Sequence, residues 1–340
     1  MMPEHGGRLN QAVKRWGIPR EQWLDLSTGI NPIGWPVPNI PMEVWQRLPE
    51  ADDGLVDIIR HWSDTPISAD CEPVAGSQAA IMALPRLRKP CRVGIPTIGY
   101  REHEYSWRQA GHHIVSLSAV QSNAGAADDG ERWLDELDVL VWINPNNPSG
   151  ELIPPATLLR WHSRLQKRDG WLIVDEAFMD ATPQFSLSAH AGLRGLVILR
   201  SLGKFYGLAG VRAGAVLTEP SIAHALRRLL GPWSLSGPSR YVMAQALLDT
   251  EWQAQTRTRL QRDSRRLADL LQAAGLSLLG GTALFQTVTT DTPTVLAERL
   301  AAQGVLVRAF EQPGMLRFGL PADEQQWQRL EMALLAKKGN

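Results

Sequence analysis

Ser201-Leu202-Gly203-Lys204-Phe205-Tyr206-Gly207, continued by Leu208-Ala209-Gly210-Val211 and Arg212, follows closely on the apolar run Leu196-Val197-Ile198-Leu199. A short, near-continuous apolar run reads as a strand covered on both faces, as in a parallel sheet. Lys204 then emerges at the carboxyl edge of that sheet, the edge where open α/β folds bind ligands. The stretch groups an amine, a hydroxyl and a guanidinium around what could be one small anion. A lysine that forms a Schiff base with a carbonyl cofactor needs such neighbours. A lone lysine is by default a solvated charge, so its meaning depends on what the other strand ends carry.

Working outward, apolar runs alternate with helical patterns over residues 71–217. Strands are predicted at Arg92-Val93-Gly94-Ile95, His113-Ile114-Val115-Ser116-Leu117, Val139-Leu140-Val141-Trp142-Ile143, Trp171-Leu172-Ile173-Val174, the run 196–199, and Gly214-Ala215-Val216-Leu217. Helices are predicted at 77–87, 100–110 and 155–168, the last opened by Pro155. This alternation predicts a doubly wound α/β domain. Beyond Leu217 the pattern changes: helices at 221–230, 239–248, 252–274, 295–303 and 323–336 interleave with strand-like pieces at 283–289, 305–309 and 315–318, an α+β lobe. The first forty residues, rich in Gly and Pro, match neither pattern and read as an arm lying across the site. The expected domains are therefore an arm at 1–44 that belongs to the small domain, a large domain at 45–230 and the remainder of the small domain at 231–340. Residues 123–130 read as an exposed polar loop.

Composition narrows the function classes. Lys and Arg number 35 against 35 Asp and Glu, a formal net charge of zero, so no basic footprint for nucleic acid is present. Cys71 and Cys91 form no CxxC, which suggests neither a disulfide framework nor a zinc site. The start, Met1-Met2-Pro3-Glu4-His5-Gly6-Gly7-Arg8, has no apolar core of a signal peptide. No later run approaches the roughly 18 apolar residues of a membrane span. A soluble cytoplasmic protein, binding neither nucleic acid nor membrane, is expected. Trp16, Trp23, Trp45, Trp62 and Trp107 read as core or interface filler.

Four more strand ends carry candidate groups. Ala75-Gly76-Ser77-Gln78 opens a helix, where free N–H groups and the helix dipole favour a phosphate; an ordinary cap by Ser77 is the other reading. Asn144-Pro145-Asn146-Asn147-Pro148-Ser149-Gly150 follows a buried strand and is either a rigid turn alone or a turn that presents an Asn amide to a phenolate oxygen. Asp175, in Val174-Asp175-Glu176-Ala177-Phe178, ends a buried strand, which is costly unless the carboxylate is paired. Its partner is either a protonated ring nitrogen or a buried cation or cap. Tyr100 follows the strand at 92–95 and either stacks on a flat ring or fills the core. Phosphate cradle, ring-nitrogen partner, phenolate donor, ring stack and amine are together the parts that pyridoxal phosphate requires.

On these motifs the chain resembles the fold-type I pyridoxal-phosphate enzymes, in motif order and over nearly its whole length. The resemblance implies a large domain with a mostly parallel seven-stranded sheet between helices, plus a smaller α+β domain. It implies that Lys204 is the Schiff-base lysine, that Asp175 partners the pyridine nitrogen, and that Asn147 contacts the ring oxygen. Ser201 and Arg212 join Gly76, Ser77 and Gln78 at the phosphate, with Tyr100 preferred to Ile98 as the stacking residue. Arg317, in Met315-Leu316-Arg317-Phe318, matches the arginine that clamps a substrate α-carboxylate, a task suited to a bidentate guanidinium. Within the superfamily the chain is similar to the histidinol-phosphate-aminotransferase-like branch, and there to the threonine-phosphate decarboxylases of cobalamin biosynthesis. That similarity rests on His5-Gly6-Gly7-Arg8-Leu9, Leu24-Asp25-Leu26-Ser27-Thr28-Gly29-Ile30-Asn31-Pro32, Tyr100-Arg101-Glu102-His103, Asp175-Glu176-Ala177-Phe178-Met179-Asp180, and Gly231-Pro232-Trp233-Ser234-Leu235-Ser236-Gly237-Pro238.

Two departures qualify the likeness: Phe178 stands where aminotransferases usually carry Tyr, and Leu48 where many relatives place a partner-subunit Tyr on the phosphate. The resemblance implies decarboxylation of L-threonine O-phosphate to aminopropanol phosphate, with substrate contacts from His5, Arg8, Gly29, Asn31, Asn147 and Arg317. It also implies a homodimer and leaves room for a corrinoid-pathway enzyme as partner. The rival readings are an aminotransferase of the histidinol-phosphate type and a non-catalytic cofactor-binding or scaffold subunit.

Overall fold

The computed structural model describes residues 5–118 and 128–335. These form two compact units: one comprises 35–118, 128–147 and 151–253, the other 5–34, 148–150 and 254–335. The strands, in chain order, are β1 (Leu24–Asp25), β2 (Asp70–Val74), β3 (Arg92–Pro96), β4 (His113–Leu117), β5 (Val139–Ile143), β6 (Trp171–Asp175), β7 (Leu196–Ser201), β8 (Gly214–Thr218), β9 (Ser277–Thr282), β10 (Phe285–Thr289), β11 (Val305–Leu306), β12 (Arg308–Phe310) and β13 (Met315–Gly319).

The first unit is built on a seven-stranded sheet in the order β2-β8-β7-β6-β5-β3-β4. The pairs β4–β3, β3–β5, β5–β6 and β6–β7 are parallel, and β8 runs antiparallel to both its neighbours. Every residue of β5, β7 and β8 is buried, as the unbroken apolar runs require. Alternate side chains serve opposite faces. Val139, Val141, Ile173, Val197, Leu199 and Val216 pack with Ile81, Leu84, Trp107 and Leu226 of the helical layer on one face. Trp142 meets Trp161 of helix Pro155–Gln166, with ring centroids 5.0 Å apart.

β2 is an edge strand absent from the sequence expectation. Its Asp70-Cys71-Glu72-Pro73-Val74 is too polar to read as a buried run, and the edge position is where a strand tolerates Pro. The helix predicted at 77–87 splits: Ser77–Ala83 is α-helical, and Leu84–Leu87, which contains Pro85, is a 3₁₀ turn. Of the loop expected at 123–130, residues 123–127 lie outside the described residues, and a 3₁₀ segment runs from Asp128 to Glu136.

The second unit contains the antiparallel sheet β12-β13-β10-β9 and the short parallel pair β1-β11. β9 escaped the sequence reading because Gly280 and Gly281 dilute its apolar pattern. The arm is also more ordered than its Gly and Pro content implies. Leu9–Trp16 is a helix whose Leu9, Ala12, Val13 and Trp16 recur at helical spacing. That stripe packs with Trp23, Ala301 and Leu306.

The first compact unit begins at Trp35 and ends at Gln253, where the sequence reading drew the large domain over 45–230. Helix Gly237–Leu248 belongs to it because Ser239 Oγ donates to Val211 O at 2.6 Å and Arg240 forms two 2.6 Å bonds to Asp53. Trp35 donates from its backbone to Tyr206 O and from its indole to Asp249, both at 2.9 Å, and Trp252 stacks on Tyr206. No helix among the described residues is long and apolar enough to cross a membrane.

Arg200 on β7 is buried with its guanidinium 4.3 Å over the Trp62 ring. It bonds Asp180 and donates to Ser188 Oγ at 2.9 Å. Glu176 lies 3.6 Å away and itself accepts from Ser186 Oγ and Leu187 N–H. Burial pushes the Glu176 carboxyl above its ordinary range, against the pull of Arg200. The cluster ties the turn after β6 to β7. Asp180→Ala leaves the Arg200 charge short of its bonded carboxylate in the interior and is expected to cost about 3–5 kcal/mol. Urea unfolding measures it, and a loss below about 1 kcal/mol contradicts this role.

Candidate active site

The carboxyl ends of β6 and β7 and the start of β8 assemble the groups singled out in the sequence. Register does the assembly: Asp175 lies opposite Ile143 of β5 and Leu199 of β7, Ser201 lies opposite Gly214, and Gly214 lies opposite Val74. Val74 leads into Gly76, the N-cap of helix Ser77–Ala83. Ser77 is thus the first helical residue and not the cap. Gly76 has φ +72, and a Cβ built there would lie 2.6 Å from Arg212 Nη2. Position 76 therefore needs glycine both for its left-handed backbone and for the approach of the guanidinium. Arg212 itself has φ +53 in the turn before β8, a conformation that costs a non-glycine residue about 1–3 kcal/mol and persists where surrounding structure demands it. The guanidinium thus lies at the helix N-terminus, and Ser201 sits opposite Gly214, whose own Cβ position is 2.9 Å from Ser77 N; groups of this kind suit a phosphate.

Asp175 is buried, with 3% of its surface exposed. Its Oδ1 accepts the Ala177 N–H at 3.1 Å, and its Oδ2 is 2.9 Å from His103 Nε2. His103 is equally buried, on helix Glu102–Gln109. The sequence reading quoted His103 only within a motif. Its signal was available: a histidine one turn past Tyr100 shares that residue's helical face. Tyr100 meets the His103 ring edge-on, with centroids 6.2 Å apart. The Tyr100 hydroxyl donates to Gln78 Oε1 at 3.0 Å, and Gln78 Nε2 donates to Glu102 at 3.0 Å. The Gln78 side chain thus steadies Tyr100, a contact not foreseen when Gln78 was assigned to the phosphate.

Lys204 Nζ lies over the Phe178 ring, 5.7 Å from its centroid. The apolar face that replaces the usual Tyr is therefore turned to the amine. In the turn after β5, Asn144 exchanges bonds of 3.0 and 2.8 Å with the backbone of Ile153, and Asn146 Nδ2 donates to Ile98 O at 2.8 Å. These two amides build the loop that presents Asn147.

The second unit concentrates positive charge. Arg317 on β13 is buried, and Arg308 on β12 is its cross-strand partner. Arg308, absent from the sequence assignment, is visible only once the hairpin register is known. Arg317 Nη2 donates to Ser27 O at 2.7 Å, and Arg308 Nη1 to His5 O at 3.4 Å. Burial, with Arg308 as a nearby like charge, lowers the Arg317 pKa to about 10. Asn31, also buried, accepts at Oδ1 from Ile33 N at 3.1 Å and from Arg259 Nη2 at 2.9 Å, which settles its amide orientation. Gly29 is buried, while Arg8 and His5 are exposed at the arm.

A doubly wound sheet with a lysine, a buried aspartate and an arginine beside a helix N-terminus at its strand ends is the arrangement of enzymes that work through a bound carbonyl cofactor. A protein-family model for aminotransferases of class I and II matches residues 73–339, and the chain belongs to that family. It is 49% identical to a threonine-phosphate decarboxylase of Pseudomonas aeruginosa, an alignment covering 99% of this chain and 98% of that one. A second threonine-phosphate decarboxylase, from a Sinorhizobium species, is 37% identical, with 97% of each chain covered. Among solved structures, a histidinol-phosphate aminotransferase from Sinorhizobium meliloti in complex with pyridoxal-5'-phosphate has the same fold: TM-score 0.80, 19% identity, covering 98% of this chain and 94% of that one.

An anion taken by Arg317 binds its protonated form. Binding is therefore present below the pKa of about 10 and lost as pH rises through it. Titration with a small carboxylate is expected to show affinity falling by about tenfold per pH unit above that value. Affinity unchanged to pH 11 contradicts the assignment.

Proposed function

We propose that the chain releases carbon dioxide from L-threonine O-phosphate and forms aminopropanol phosphate, with pyridoxal phosphate as cofactor. The observation that carries this reading is the 49% identity to a threonine-phosphate decarboxylase across 99% of the chain. The geometry supports the cofactor. Gly76, Ser77, Ser201 and Arg212 would hold its phosphate, the missing Cβ of Gly76 letting the Arg212 guanidinium come close to the helix N-terminus. The buried Asp175, with His103 behind it, fits a protonated ring nitrogen.

When bound, pyridoxal phosphate supplies an electron-poor ring that accepts the electron pair of the bond broken at the substrate Cα. The chain's residues direct that capacity. Asp175 would keep a proton at the ring nitrogen, and His103, 2.9 Å from its Oδ2, fixes the carboxylate's orientation. Asn147 would donate to the ring oxygen, as the main donor where Phe178 has no hydroxyl. Tyr100 would flank the ring. Lys204 would hold the cofactor and carry a proton for the substrate Cα. Arg317 and Arg308 fit the two anionic groups of the substrate, with Arg8, His5 and Asn31 beside them in sequence assignment. The residues that orient the substrate would decide between decarboxylation and transamination.

The protein is proposed to act as a homodimer. Met42, Trp45 and Leu48 are 67%, 60% and 63% exposed in the single chain, an apolar segment of the kind an interface covers. A corrinoid-pathway enzyme as a further partner rests on resemblance alone.

Incubation with L-threonine phosphate and no 2-oxo acid is expected to release one carbon dioxide per substrate consumed. Pyridoxamine phosphate accumulating without carbon dioxide turns the assignment to an aminotransferase. Lys204→Ala is expected to abolish the visible absorbance of lysine-bound cofactor, and an unchanged spectrum refutes the anchor. Gly76→Ala pushes a methyl against Arg212 and is expected to weaken cofactor retention by about tenfold, read by equilibrium dialysis.

A further inference from the structure

Contacts in the second unit converge on a residue given no role so far, Ser27. It is buried, with 3% of its surface exposed. Its backbone N–H and its hydroxyl both donate to Asp25 Oδ1, at 2.9 and 2.6 Å. The hydroxyl proton is therefore committed to Asp25, and the lone pairs of Oγ are left to accept. The Gly7 N–H takes that place at 2.8 Å. The Ser27 carbonyl accepts from Arg317 Nη2 at 2.7 Å. One residue thus holds the N-terminal arm with its side chain and the buried arginine with its backbone.

The surrounding backbone makes Ser27 a rigid post. Gly319 N–H, at the end of β13, donates to Leu26 O at 2.8 Å, so the strand that carries Arg317 also fixes the peptide before Ser27. The arm lies close against this post: a Cβ at Gly6 would come 2.2 Å from Ser27 O. The second tether is Arg308 Nη1 to His5 O at 3.4 Å. Both arginines are thus engaged by backbone carbonyls. A carbonyl acceptor orients the guanidinium that donates to it. Ordering terminal residues costs more than one hydrogen bond returns, so the arm depends on these contacts together.

We propose that Ser27, set by Asp25, is a positioning residue for substrate recognition. Its hydroxyl clips the His5-Gly6-Gly7 arm in place and its carbonyl aims Arg317, so that the arm and the arginine pair form one surface for a phosphorylated amino acid. This deepens the proposed function and rests on its reading of the substrate.

The experiment compares Ser27→Ala with wild-type holoenzyme in two measurements. Limited trypsin digestion followed by mass spectrometry reads cleavage at Arg8–Leu9, which reports the arm without any turnover. Steady-state kinetics with L-threonine phosphate reads KM against kcat. Ser27→Ala is expected to speed cleavage severalfold and to raise KM by about tenfold while kcat stays within about twofold. The melting temperature and cofactor absorbance are expected to be unchanged. Gly6→Ala, which crowds the arm off Ser27, is expected to reproduce both effects, whereas Asp25→Asn, which keeps an acceptor oxygen, stays near wild type. Faster cleavage with an unchanged KM makes the clip purely structural and overturns the proposal, as does unchanged cleavage in Ser27→Ala. Should the wild type turn over no L-threonine phosphate, the substrate reading fails separately. Cleavage with and without inorganic phosphate then decides: protection of the wild type that Ser27→Ala loses upholds the coupling, and equal protection of both overturns it.

Discussion

A carboxylate held out of water at the end of a central strand constrains everything around it. Asp175 is 3% exposed, and an ionised group so placed must find partners or lose its charge. His103 supplies one from the helix after β3, and Ala177 N–H supplies another. The next residue repeats the problem on the opposite side of the strand. Glu176 is fully buried and answered by Ser186, Leu187 and the nearby Arg200. The tip of β6 is therefore gripped from both faces. A pre-set end of this kind lets Asp175 present a fixed charge without reorganising when a ligand arrives.

The second unit solves the converse problem. There the Arg317 guanidinium is buried beside Arg308 of the neighbouring strand, and each donates to a backbone carbonyl that sets its direction.

Much of this was legible in the chain because buried parallel strands write themselves as apolar runs. The runs at 139–143, 171–174 and 196–199 located β5, β6 and β7, and with them Asp175 at the end of β6 and Lys204 three residues past β7. What stayed hidden has physical reasons. β2 is an edge strand, where Pro and acidic residues are tolerated and the apolar signature fades. The helix Leu9–Trp16 carries a proper apolar stripe, but it sits in a segment whose Gly and Pro content dominates a compositional reading. Arg308 depends on hairpin register, which no local pattern reports, and His103 on a partner 72 residues away in sequence.

The single reversed strand of the large sheet has a further consequence. Parallel neighbours require a crossover, usually a helix; because β8 runs against β7, the chain returns through one compact connection instead. Ser201, Lys204 and Arg212 all lie on or beside that connection, between the last residue of β7 and Gly214. Amine and guanidinium are consequently spaced by a turn and not by the packing of separate elements. That makes the segment a ruler of fixed length: an inserted residue within it would shift Lys204 relative to Arg212, while neighbouring connections could lengthen without altering the measure.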